Sequence, residues 1–270
     1  GNPRHKKGTG IVGVDIGTQH YAYVSDKKDG IDTLGDLDDD FKKQQQKEKR
    51  LNRKMDRQRR ANNPQNYDDD GTIKKGCKCW HNSKRYKKTL AKYKEQCRKN
   101  AVNRKYANNH KVNLLRELGD IVITELKNWS KLQKKVKKTK KNNQGKYQRK
   151  KRSGKSLLKC NPGYFQEQLE KVFPVYIEVS KQYRASQYDH TADDYIKKKL
   201  SQRKYELHDG TMVQRDWYSA FLLYNYDFQT QDIDKPKCCN EFENHHIRLK
   251  SIIEDIRKRG IKINNSGIRI

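Results

Sequence analysis

Three acidic residues stand in stretches where an acid is costly. Asp15 follows Ile11-Val12-Gly13-Val14, Glu125 follows Ile121-Val122-Ile123-Thr124, and Asp216 precedes Trp217-Tyr218-Ser219-Ala220-Phe221. A charge buried without a partner is strongly unfavourable, so each carboxylate requires one. Singly, each has an ordinary reading: Asp15 as a turn residue ahead of Gly17, Glu125 on a solvated strand end, Asp216 as a helix cap. Together, two acids at strand ends and one in the first turn of a helix on the same sheet can reach one edge of it and hold a divalent metal. Such a site performs phosphoryl transfer. Two Mg²⁺ (or Mn²⁺) ions roughly 4 Å apart lower the pKa of an attacking water and neutralise the leaving oxygen, so no protein base is needed. Asp15 is then the ligand common to both ions, with Glu125 and Asp216 each completing one.

The charge of the chain names the substrate class. Of the 270 residues, 32% are apolar and 36% charged, and the net charge is +30. A surplus of that size suits a polyanion, because duplex nucleic acid carries one negative charge per roughly 1.7 Å of axis. The surplus is concentrated: residues 41–160 hold 40 of the 63 Lys and Arg but 9 of the 33 Asp and Glu, which leaves the rest near neutrality. Candidate phosphate contacts are Lys43, Arg50, Arg53, Arg57 and Arg60 in a first basic segment and Lys134, Lys135, Lys138, Arg149, Lys150 and Arg152 in a second. Arg215, beside Asp216, joins them.

The six cysteines form no disulfide framework, and Cys77-Lys78-Cys79 and Cys238-Cys239 are poorly spaced for tetrahedral zinc, so zinc is not expected. His20, His81, His208 and the pair His245-His246 lack ligand spacing and read as structural or surface residues. With no signal peptide and no long apolar run, the chain reads as reduced, cytoplasmic and nucleoid-associated, without a membrane partner; its oligomeric state is left open. It opens on Gly1, which places its start at a cleavage scar or inside a longer product.

Periodicity gives the elements that must position the acids. Residues 11–16 read as a buried strand, 20–24 as its antiparallel neighbour after the turn at Gly17, and 31–37 as a third strand. Residues 41–62 and 83–118 read as helices pairing in a long antiparallel hairpin that projects from the sheet, along a seam of Tyr86, Leu90, Tyr93 and Cys97. Ile121-Val122-Ile123 is a central strand, apolar on both faces. Residues 131–152, with 12 Lys or Arg and no acid, form a flexible arm that orders on its partner. Asn161 caps a helix begun by Pro162, with Phe165, Leu169 and Val172 on its apolar face, and residues 175–179 are a strand with one buried face. Residues 188–210 are turn-rich, and Trp217, Ala220, Phe221 and Tyr224 mark an amphipathic helix. The segment 228–270 carries a short helix, 247–256, and a polar tail of no evident role.

At its acidic segments the chain resembles the RuvC-type nuclease domain of the TnpB (OrfB) proteins of insertion sequences, relatives of the type V CRISPR effectors. The motifs are Gly13-Val14-Asp15-Ile16-Gly17, Ile121-Val122-Ile123-Thr124-Glu125-Leu126 and Arg215-Asp216-Trp217-Tyr218-Ser219-Ala220, with Gly163-Tyr164-Phe165-Gln166-Glu167-Gln168-Leu169 and Ala185-Ser186-Gln187 between the last two. An acid usually follows the second-motif Glu in the family, where this chain has Leu126-Lys127. The family's zinc ribbon lies between the Ser-Gln turn and the last acid, yet residues 188–215 contain no cysteine.

The resemblance implies an RNase H-like (RuvC-type) α/β fold, a mixed sheet flanked by helices with a long basic helical hairpin inserted. The nuclease domain would comprise residues 1–40, the central strand 119–130 and the remainder 161–227, with a degenerate ribbon at 188–215. It would be interrupted by the insertion 41–118 and the arm 131–160 and followed by the extension 228–270. It further implies a Mg-dependent DNA endonuclease with a guide RNA partner. The family's wedge and recognition domains precede the first strand, where this chain has ten residues, so guided cleavage by this chain alone is not expected. Two other readings remain open: a catalytically lapsed RNA- or DNA-binding regulator, and an RNase H-fold transposase.

Overall fold

The computed structural model describes residues 6–35, 39–134, 143–145, 154–180, 182–199 and 201–269. The arm residues Lys135, Lys138, Arg149, Lys150 and Arg152 lie outside them. The described chain is mixed α/β, in the order β1 (Ile11–Ile16), β2 (His20–Ser25), β3 (Gly30–Thr33), α1 (Asp39–Asn62), α2 (Lys84–Leu118), β4 (Ile121–Glu125), α3 (Trp129–Gln133), α4 (Gly154–Cys160), α5 (Pro162–Val172), β5 (Val175–Val179). Four short strands follow, β6 (Tyr188–Asp189), β7 (Asp194–Tyr195), β8 (Lys204–Glu206) and β9 (Met212–Gln214), then α6 (Arg215–Tyr224) and α7 (Lys235–Lys258). Two compact units result, one from residues before 36 and after 106, the other from residues 36–106.

The first unit is built on a five-stranded sheet in the order β3-β2-β1-β4-β5. β1 pairs antiparallel with β2 and parallel with β4, and β4 pairs parallel with β5. Strand alternation sends Val12, Val14 and Ile16 into one core with Leu115 of α2 and Phe165 and Leu169 of α5. The opposite face carries Gly13, Asp15, Ala22 and Ile123 beneath α6, whose residues from Asp216 to Tyr224 are all buried. A Cβ at residue 13 would lie 2.3 Å from Ala220 O and from Tyr224 N, so the helix rests directly on the strand backbone.

Several sequence expectations are corrected. The third strand ends at Thr33, not Leu37, because the Leu34 amide bonds Gln19 O and Gly35 turns the chain at φ 70°. The basic arm begins as a helical turn, α3, capped by Asn128 accepting from the Lys131 amide. Asn161 precedes α5 but does not cap it through its side chain; it is left-handed at φ 51° and links α4 to α5. β5 is an edge strand with Val175 exposed and only Val179 fully buried. The helix expected at 247–256 runs over 24 residues and places Cys238, Phe242, His245 and Leu249 in the core under α6, so the C-terminal segment is part of the domain.

The described residues of 188–215 form two hairpins, β6–β7 and β8–β9. The buried Asp189 joins them: it accepts from Thr191 N at 3.0 Å and Thr191 Oγ1 at 2.7 Å in one hairpin and from His208 N at 3.0 Å in the other. Burial opposes this charge, but the hydrogen bonds prevail and hold the carboxyl below its ordinary range. Nearby, Lys198 Nζ sits 3.3 Å from the centroid of the Tyr205 ring with no hydrogen-bond partner among the described residues. Burial brings its pKa down to about 8.

In the second unit α1 pairs antiparallel with the start of α2. Asn103 donates to Gln44 at 2.9 Å, Asn100 to Glu48, Arg59 to Tyr86 at 2.9 Å and Asn62 to Ser83 at 3.0 Å. The expected seam is only partly apolar: Tyr86 and Met55 are buried, Leu90, Tyr93 and Cys97 are half-buried, and the other buried α2 positions in this unit are the polar Thr89, Gln96 and Asn100. α1 offers too few apolar residues for a hydrophobic seam, so side-chain hydrogen bonds hold the pair.

Two outcomes test this architecture. Gly13→Ala should lower the unfolding free energy by about 3 kcal/mol in a urea titration, since backbone rather than a flexible side chain must give way. Lys198, isotope-labelled by reductive methylation, should titrate by NMR near 8 instead of near its ordinary 10.5. Folding then favours the neutral amine, so this group makes stability rise as pH rises through that interval.

Candidate active site

Gly13 lies beside Ile123 and Val14 beside Thr124 in the parallel β1–β4 ladder. One step further stand Asp15 and Glu125, on the α6 side of neighbouring strands whose backbones are about 4.8 Å apart. Like charges so placed repel. The cation that joins them is Lys127, whose Nζ donates to Asp15 Oδ1 at 2.5 Å and to Ile16 O at 2.7 Å and lies 3.6 Å from Glu125 Oε2. Asp15 is buried and Glu125 half-buried. Burial pushes the Glu125 carboxyl upward, a shift that Lys127 opposes and Asp15 reinforces. For Lys127 burial works against the charge, but Asp15 and Glu125 outweigh it and hold the ammonium above its ordinary range.

Asp216 is held by a separate set. His20 Nε2 donates to its Oδ2 at 2.8 Å, Gln214 Nε2 donates to the same atom at 3.1 Å, and Arg203 lies 3.9 Å from Oδ1. Burial raises this carboxyl, but His20, Arg203 and Gln214 more than offset it and leave it below the ordinary value of 3.8. The C-terminal segment braces both donors: His20 Nδ1 bonds Asn264 O at 3.1 Å, and Gln214 Nε2 also bonds Ser266 O at 3.0 Å.

The structure thus brings Asp15 and Glu125 onto one cation and places Asp216 within electrostatic reach of it. The donor chemistry fits a hard divalent ion, since all three side chains are carboxylates and the Ile16 carbonyl adds a fourth oxygen. Among the described residues, however, no group of three or more His, Cys, Asp or Glu is arranged to hold a metal. Lys127 lies between Asp15 and Glu125, and Asp216 is engaged by His20 and Gln214.

The expected nucleic-acid contacts are distributed unevenly. Lys43, Arg50, Arg53, Arg57 and Arg60 are exposed, and at 3.6 residues per turn they share an arc of roughly 100° on α1, opposite the buried Met55. Arg60 also stacks on Tyr67, 5.2 Å from the ring centroid. Lys134 is exposed at the end of α3, and Arg215 is half-buried and acts on Glu125. Among the described residues no helix is long and apolar enough to cross a membrane.

Sequence reasoning missed Lys127, Gln214 and Arg203, and took His20 for a structural or surface residue. His20 shares the α6 face of β2 with Ala22, a placement legible in the alternation of that strand. Comparison with known proteins adds no assignment: no family model and no curated protein matches the chain.

His20→Ala should destabilise the domain by roughly 3 kcal/mol, because it strips the buried Asp216 of its shortest hydrogen bond. The depressed Asp216 pKa contributes stability above its ordinary 3.8, lost as pH falls through the lower folded value. The difference between wild type and variant in urea should therefore be full at pH 6 and shrink below pH 4; an equal difference at both would contradict the pairing.

Proposed function

We propose that this domain hydrolyses DNA phosphodiester bonds with Mg²⁺ or Mn²⁺ held by Asp15, Glu125 and Asp216, as the RuvC-type nuclease part of a transposon-associated, RNA-guided endonuclease. The observation that carries the reading is the pairing of two acids remote in sequence, Asp15 and Glu125, on one cation at the carboxyl ends of adjacent parallel strands, with Asp216 of α6 within electrostatic reach of it. The mixed sheet with helices on both faces suits an RNase H-like fold.

When bound, divalent ions supply Lewis acidity and an activated water. The chain's own residues set the conditions. Asp15 and Glu125 offer a pair of oxygen donors on adjacent strands, and α6 rests on β1 beside them. His20 and Arg203 keep Asp216 ionised. The exposed basic arc of α1 supplies sequence-independent contacts to DNA or to a guide RNA, through counterion release.

A second reading has one observation in its favour. Lys127 already neutralises Asp15 and Glu125, as a domain that binds nucleic acid without cutting it would require.

Incubation of the purified chain with Mn²⁺ and single-stranded DNA separates the two. The nuclease reading predicts nicking that falls at least about 100-fold in Asp15→Asn. Cleavage equal in both proteins would overturn it, and salt-sensitive binding without cleavage in either would favour the lapsed binder.

A further inference from the structure

Lys127 occupies the position between two carboxylates that the proposed chemistry assigns to a metal. We infer that it is a tethered counter-cation: its ammonium and a divalent ion take the Asp15–Glu125 site alternately, so that metal enters only as Lys127 swings out. The inference rests on the metal-site reading above and adds what controls the site's loading.

The geometry supports exchange over coexistence. Three oxygens, Asp15 Oδ1, Ile16 O and Glu125 Oε2, surround Nζ at 2.5, 2.7 and 3.6 Å. An ammonium has three donors and no acceptor: two donate to Asp15 and Ile16, Glu125 lies at ion-pair distance, and no electron pair is turned toward a second cation. They are also the hard oxygen ligands that Mg²⁺ or Mn²⁺ takes. A divalent ion bonded to the same carboxylates would lie within a few ångströms of Nζ, with strong repulsion in a partly desolvated site.

The backbone around Lys127 is pinned on both sides. Leu126 N bonds Val179 O at 3.2 Å, continuing the β4–β5 ladder, and Trp129 Nε1 donates to Gln166 Oε1 at 2.6 Å on α5. The Asn128 side chain is committed to the cap of α3. Exchange therefore falls to the Lys127 side chain alone. Its flexible four-carbon stem permits this, and 24% of the side chain is already exposed, which gives it a route to solvent.

The device has two effects. Without metal, Lys127 removes the repulsion between Asp15 and Glu125 and stabilises the fold. For the same reason it weakens metal binding by the factor with which the ammonium competes.

Two measurements on the full chain test this. In calorimetric titration with Mn²⁺, Lys127→Met should bind at least tenfold more tightly than wild type, and Asp15→Asn should bind in neither background. In the wild-type protein, saturating Mn²⁺ should raise acylation of Lys127 by an amine-reactive reagent severalfold over other lysines, read by mass spectrometry. The second measurement holds even if Lys127→Met does not fold. Equal affinity in the two proteins, or Lys127 labelling indifferent to bound metal, overturns the counter-cation while leaving the metal site standing. No Mn²⁺ binding to wild type or variant overturns both.

Discussion

The structure around the acids depends on how closely α6 lies on β1. Only a residue without a Cβ leaves room for the Ala220 carbonyl and the Tyr224 amide at position 13, and Gly13 meets that requirement. The contact sets the N-terminal turn of α6, and with it Asp216, over the strand ends that carry Asp15 and Glu125. An apolar wedge at that point would be simple to pack. Carboxylates there are tolerable only when each is paired, and the chain pairs all of them: Lys127 with Asp15 and Glu125, His20 and Arg203 with Asp216.

A second buried pairing fastens α6. Asp29, fully buried, accepts from Trp217 Nε1 at 3.3 Å and meets His245 Nδ1 at 2.9 Å on α7, with Arg248 3.5 Å away. The helix carrying Asp216 is thus tied to the turn between β2 and β3 and to α7 through one carboxylate. The residues beyond α7 return to brace His20 and Gln214 through the carbonyls of Asn264 and Ser266. What reads as a tail in sequence is the outer support of the candidate site.

Elements whose signal is local were legible in the sequence. β1, β2, β4 and the two long helices follow from β-branched runs, alternation and helical periodicity, and Asp15, Glu125 and Asp216 stand out as acids in apolar company. What was illegible depends on partners far along the chain. The spacing Glu125-Leu126-Lys127 does not say that the lysine folds back onto Asp15, 112 residues away. His20 lacks a local ligand partner because its partner is 196 residues distant. The length of α7 was missed for another reason: its apolar residues are diluted by charge, and only burial under α6 shows which face is core. The seam of the helical hairpin was misjudged because spacing marks a face without saying whether the facing helix can match it with apolar residues.

Asp15 and Glu125 share the Lys127 ammonium at the foot of α6, in the place the proposed metal would take. A crystal structure of the wild-type protein soaked in Mn²⁺, read by anomalous scattering, tests that placement most directly. The expected result is a peak roughly 2.1 Å from carboxylate oxygens of Asp15 and Glu125, with Lys127 displaced toward solvent. Lys127 still seated on both carboxylates, with no anomalous peak between them at saturating Mn²⁺, would contradict it.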